Sequence, residues 1–278
     1  MKNILKIMLM MITIFTIAGS AVYATEIPVS DQDQLITSRD WTEISNLQDE
    51  MKKEEPDATI DYDKALKVYV DCNLIKLQTA DTKKLTSALE SANYVWVIPF
   101  KMEKTYGMFT VAKGLPLREE AKSVLTKAEQ EEVKNHAGKW MITETAEHTV
   151  EPYYDILLEK REALSDCTRV VLVGSQPGMR QPVALGMDDE TARIWISLGY
   201  QYPVMEKIPE TQNVESGVYS FESVADISDT YIEDSEVSTG AGVQSRSSMK
   251  YVAGIGIIVI GSILILSVLK KKKLEDYE

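Results

Sequence analysis

Residues 94–113 read YVWVIPFKMEKTYGMFTVAK, and this stretch decides the fold. Tyr94 to Phe100 is a strongly apolar run of strand formers, with Pro99 near its end where a missing N–H is tolerated. Lys101 to Thr105 is polar, and Tyr106 to Lys113 returns as a second run rich in strand formers. Two such runs across a short polar turn make a β-hairpin.

The same grammar extends on both sides. Leu66, Val68, Val70 and Cys72 alternate with Lys67, Tyr69 and Asp71, the pattern of a strand. Thr82 to Ser91 carries helix formers with Leu85, Ala88 and Leu89 on one face. After the hairpin, Arg118 to Asn135 reads as a helix stopped by Gly138, Lys139 to Thr145 as a strand, and Pro152 to Ser165 as a helix with Pro in its first turn. Arg169 to Val173 is the most apolar strand; Gly174 to Gly178 is a turn, and Pro182 to Leu185 and Arg193 to Leu198 are further strands. Hairpins mixed with helices define an α+β class: a mixed, largely antiparallel sheet with helices packed on one face. Residues 82–113 and 152–187 share the order helix, apolar strand, turn, strand, a loose internal similarity.

The two ends place the chain. Lys2 and Lys6, the apolar run Ile7 to Ala18 and the small residues before Ala24 have the three parts of a signal peptide, residues 1–24. Tyr251 to Leu269 is an apolar run of about 28 Å at 1.5 Å per residue, enough for a transmembrane helix. Lys270 to Lys273 follow it at once and set a cytoplasmic C-terminus, leaving only the tail 270–278 inside. Nine residues bury no core, so the tail is no signalling domain. Between the ends, 25–57 is a polar segment with an amphipathic helix around Trp41, Ile44, Leu47 and Met51, 58–209 is the exported α+β domain, and 210–250 is an acidic disordered stalk reaching roughly 35–40 Å. Gly254 and Gly261 share one face of the span.

The formal charge is −13. Without the +2 of Lys2 and Lys6 and the +1 of the tail, the exported part carries −16. This excludes nucleic acid as a partner, because phosphate contacts need clustered Lys and Arg. Cys72 and Cys167 are the two cysteines, and both are exported, so a disulfide is expected, worth about 4–5 kcal/mol by loop closure.

Catalytic signatures are scarce. His136 and His148 are the only histidines and stand in no metal-ligand spacing. Gly174-Ser175-Gln176-Pro177-Gly178 has Val173 where a nucleophile elbow needs Gly. Asp188, Asp189 and Glu190 are too short a run for a calcium loop, and Asp61 and Asp63 delimit a strand. No catalytic residue, cofactor or metal is therefore assigned. The exposed tips of the hairpins, Met102 and Tyr106 on one and Met179 and Arg180 on the other, are the candidate contact residues.

Thr239 and Gly240, ahead of an apolar segment and a basic tail, are similar to the end of a Gram-positive cell-wall sorting signal, but its Leu and Pro are missing. The layout resembles that of membrane-anchored surface proteins of Gram-positive bacteria. It implies a cell-membrane protein with one retained span and an outside N-terminus. The stalk, the small cytoplasmic tail and the lack of a catalytic constellation lead to the expectation that its domain binds a protein, envelope polymer or small ligand without catalysis. The alternatives are an envelope hydrolase with paired carboxylates drawn from Glu144, Glu147 and Asp155, or an accessory subunit of a membrane complex. If the anchor is retained, the mature chain fractionates with membranes and keeps its C-terminal tail. Release by muramidase digestion alone would show exchange onto the wall instead.

Overall fold

The computed structural model describes residues 27–228, apart from 149, 175, 177–178, 180, 201, 203 and 210–212. The expected signal peptide, span and tail, and the stalk beyond 228, lie outside the described residues. No helix among the described residues is long and apolar enough to cross a membrane.

Ten strands form one sheet: β1 (Thr59–Ile60), β2 (Leu66–Val70), β3 (Asn93–Lys101), β4 (Tyr106–Lys113), β5 (Trp140–His148), β6 (Arg169–Val173), β7 (Val183–Met187), β8 (Ala192–Ser197), β9 (Asn213–Glu215) and β10 (Val218–Ser220). The order across it is β5-β4-β3-β2-β6-β7-β8-β10-β9, with β1 beside β3. The class is thus α+β with a mixed, largely antiparallel sheet. The 94–113 hairpin forms as read, pairing Lys101 with Tyr106 and Val95 with Ala112. β2-β3-β4-β5 is one antiparallel meander, β6-β7-β8-β10 is a second, and their first strands meet in a parallel seam.

The helices are α1 (Trp41–Ile44), α2 (Gln48–Glu54), α3 (Thr82–Ser91), α4 (Glu119–Lys122), α5 (Lys127–His136), α6 (Tyr153–Glu159) and α7 (221–228). The single helix expected over 118–135 is two. Thr126 caps α5 by a reciprocal box with Glu129, whose carboxylate accepts the Thr126 N–H at 2.7 Å, and so starts a new helix there.

Side chains alternate between the faces of a strand, so Val68 and Leu172 share one face while Tyr69 and Val173 share the other. On the first face Leu66, Val68, Leu172 and Ile196 are covered by Tyr153 and Leu157 of α6 and by Ile27 and Val29. On the second face Trp96, Phe100, Phe109 and Ile142 lie under Leu35, Ile44 and Met51, with α1 and α2. Val171, Leu185 and Trp195 lie under Leu85 and Leu89 of α3 and Phe221 and Val224 of α7. Helices therefore cover both faces, where one was expected. A strand such as β6, buried on both sides over Val170 to Val173, needs a cover on each.

The first part of the stretch expected as an acidic stalk, 210–250, is folded. Residues 213–215 and 218–220 are strands, and 221–228 is a helix that buries Phe221 and Val224. Local composition there is polar, but Val218 packs into the core of the first face and Phe221 and Val224 into that of the second; the Trp195 and Phe221 rings lie 5.7 Å apart.

The seam itself is short. Only Val68↔Leu172 and Tyr69↔Val173 pair directly. Beyond them the strands part, and residues 28–35 fill the opening: Val29 bridges Val170, Gln34 bridges Leu66, and the Val170 N–H donates to the Pro28 carbonyl at 2.7 Å. At the other end Gln176 takes the Leu74 N–H at 2.9 Å and donates to the Cys72 and Gly174 carbonyls.

Asp33 sits in the filled opening, 2% exposed. It accepts from Tyr69 Oη at 2.7 Å, Ser30 Oγ at 2.6 Å and Arg169 Nη2 at 3.0 Å, with Lys67 Nζ at 3.5 Å. Removing one partner of a buried ionic set leaves uncompensated charge, at a cost of about 3–5 kcal/mol. Asp33→Asn is expected to lose about that much unfolding free energy in a urea titration, and Ser30→Ala about 1 kcal/mol. Equal small losses for the two would refute a central role for the carboxylate.

Candidate functional site

β-Pairing brings four side chains of the second face into a row. Tyr69 of β2 pairs with Tyr94 of β3, Tyr94 lies one residue beyond the Val95↔Ala112 pair and so beside Lys113 of β4, and Lys113 pairs with Trp140 of β5. The Tyr69 and Tyr94 rings are 6.4 Å apart and the Tyr94 and Trp140 rings 5.8 Å. Lys113 Nζ lies 5.5 Å from the Trp140 ring centre.

The inner end of the row is charged and closed. Lys67 is 9% exposed, with Nζ 4.7 Å from the Tyr94 ring centre and 5.2 Å from that of Trp96. Burial lowers its pKa, and the Asp33 charge opposes this. Asp40 accepts from Tyr94 Oη at 2.8 Å and Trp96 Nε1 at 3.1 Å. The Tyr94 ring is thus fixed from behind by a hydrogen bond and a cation–π contact.

The outer end opens into a groove of about 430 Å3. Its walls are residues 92–94 at the start of β3, 113–116 leaving β4, and the turn before β5, with Tyr94 and Trp140 as the aromatic part. Two glycines make the wall possible. Gly114 is so close to the α5 end that a Cβ there would lie 2.1 Å from the His136 carbonyl oxygen, and Gly138 has φ +75°. They clasp each other: the Gly138 N–H donates to the Gly114 carbonyl at 2.8 Å, and the Gly114 N–H to the Lys139 carbonyl at 2.9 Å. The volume falls in the range of small-ligand pockets.

The residues singled out from sequence lie elsewhere. Met102 is half-buried against the α1–α2 cluster, and Tyr106 is half-buried with Lys101 Nζ 5.8 Å from its ring centre. Met179 is no exposed tip; it turns into the core at 1% exposure because the Gln176–Met179 turn folds it under the seam. Arg180 lies outside the described residues. Cys72 and Cys167 are free thiols, not a disulfide. They pack on opposite faces and at opposite ends of the seam. The five residues of β6 alone separate them by about 13 Å, beyond the ~7 Å reach of a disulfide.

The carboxylates of the hydrolase alternative do not converge. Glu144 pairs with Thr110 on the first face, Glu147 with Gly107 on the second, and Lys64 holds Asp155 at 2.9 Å. Asp188 accepts from the Thr191 and Glu190 N–H groups at 2.6 and 2.8 Å and from Arg193, and these bonds hold its carboxyl below the usual range. It closes the β7–β8 turn. Among the described residues no group of three or more His, Cys, Asp or Glu could hold a metal ion. No protein-family model, curated protein or solved structure matches the chain.

Burial shapes the alkaline behaviour. It raises the pKa of Tyr69, Tyr94, Tyr153 and Tyr202, and pushes the Cys72 and Cys167 thiols up to about 11. A group whose folded pKa is raised holds a proton that the unfolded chain releases, so its contribution is full below the unfolded pKa and lost as pH climbs. Lys67 acts oppositely, but alone. Stability is expected to fall from about pH 8.5, where unfolded thiols ionise, and more steeply past about pH 10 with the tyrosines. Urea midpoints at a series of pH values measure this; a flat or rising midpoint from pH 8.5 to 10.5 would contradict it.

Proposed function

We propose that this chain is an exported domain, anchored by a single membrane span with its N-terminus outside, that binds a ligand in the Tyr94–Trp140 groove without catalysis. The observation that carries the reading is the groove's floor: two aromatic rings, one locked in place by Asp40 and Lys67, at the bottom of a cavity large enough for one small molecule or one unit of an envelope polymer or protein. Locked rings lose little entropy on binding, so their contact area converts well into affinity. Scattered, structurally engaged carboxylates favour binding over hydrolysis.

Leu115 stands on the rim, 39% exposed, and supports no part of the core. Ligand-observed NMR of the full chain with a set of small ring compounds is expected to find binders that compete for one place. Leu115→Glu should abolish them while leaving the melting temperature unchanged. Binders that ignore Leu115→Glu would move the site away from the groove.

A further inference from the structure

We infer that the groove selects a carboxylate carried on a compact apolar or ring-shaped body. The inference rests on the groove being the ligand site and names the class of ligand.

The chain carries 43 Asp and Glu against 30 Lys and Arg, yet no carboxylate lines the groove. Its one charged wall residue is Lys113. No carboxylate among the described residues pairs with Lys113, which lies against the Trp140 ring. Two acids stand behind the wall and are bonded to it: Asp40 to the Tyr94 hydroxyl at 2.8 Å and Asp71 to the Asn93 amide at 3.0 Å. In so acidic a protein, a cavity walled by mostly apolar groups, the Asn93 amide and a single cation suits an anion with an apolar body.

A second observation points the same way. Two described indoles, Trp140 and Trp195, have a buried Nε1–H with no acceptor. Trp195 is sealed in the core against Phe221, but Trp140 lines the groove. A buried donor without a partner is costly, and a turn of the Trp140 ring toward a ligand oxygen in the groove would relieve it. The groove therefore presents the exposed Lys113 ammonium directly and holds the Trp140 N–H in reserve behind its wall, while the Tyr94 hydroxyl is committed to Asp40. A carboxylate matches this set, because when ionised it only accepts. A neutral amide or alcohol lacks the charge that Lys113 would pair with.

The test titrates the full chain with benzoate, benzamide and benzyl alcohol, and with glucuronate and polyglucuronate, following tryptophan fluorescence and heat. Benzoate is expected to bind about tenfold or more tighter than benzamide, the scale of one charge-assisted hydrogen bond. Lys113→Met should erase that preference without changing the melting temperature, and Trp140→Phe should remove the fluorescence response. Preference for polyglucuronate over benzoate would assign the carboxylate to an envelope glycan; the reverse would assign it to a free small acid. Benzamide binding as well as benzoate, with Lys113→Met unchanged, overturns the carboxylate assignment and leaves the groove as the site. No binding by any probe overturns both.

Discussion

Strands β2 and β6 run side by side through only two residue pairs before they diverge, and the opening is held by one carboxylate. Asp33 receives a phenol and an ammonium from β2, a guanidinium from β6 and a hydroxyl from its own segment. Neither meander closes the gap by itself. The parallel pairing is weaker than its antiparallel neighbours, and a wedge of empty space at the centre of a sheet would leave both faces underpacked. Residues 28–35 supply the missing backbone partners, and Asp33 makes the arrangement electrically tolerable: without it, Lys67 and Arg169 would be two buried cations on adjacent strands. Gln176 performs the neutral version of the same task at the opposite end, satisfying the Leu74 N–H and two carbonyls.

That constraint propagates outward along one face. Lys67, held at Asp33, presents its ammonium to Tyr94; Tyr94 is oriented by Asp40; and Tyr94 meets Trp140 at the groove. Asp33 and Asp40 come from the stretch on either side of Leu35, whose fully buried side chain fixes that segment to the sheet. The residues ahead of the first long strand are thus as much a part of the site as the hairpin. The groove floor is thus ordered by the fold itself, while Lys113 on its wall stays exposed.

The strands and the hairpin were legible because their apolar runs are local. The 101–106 turn even fixes the register that sets Tyr94 beside Lys113. Trp140 was not reachable that way, since β5 carries a bulge between its pairings with Thr110 and Val111, with Thr143 spare; counting back from a loop of unknown path cannot recover it. Residues 28–35 carry no period, because their work is done by single hydrogen bonds and one buried charge. Residues 213–228 were misread for a related reason: an acidic window looks unfoldable until Val218, Phe221 and Val224 find an existing core. The cysteines misled because compartment argues for a disulfide, whereas geometry decides, and one thiol lies at each end of the seam on opposite faces.

A net charge of −13 would seem to defeat any anion site on this chain. The relevant length is the screening distance, about 8 Å at physiological ionic strength. Carboxylates farther than that from the groove act on an entering anion only weakly, and repulsion from the whole protein slows encounter more than it weakens the docked state. On the wall itself Lys113 is the one charge, while behind it Asp40 and Lys67 stand at Tyr94 and Asp71 at Asn93. An acidic exterior and a groove wall with one cation are therefore compatible.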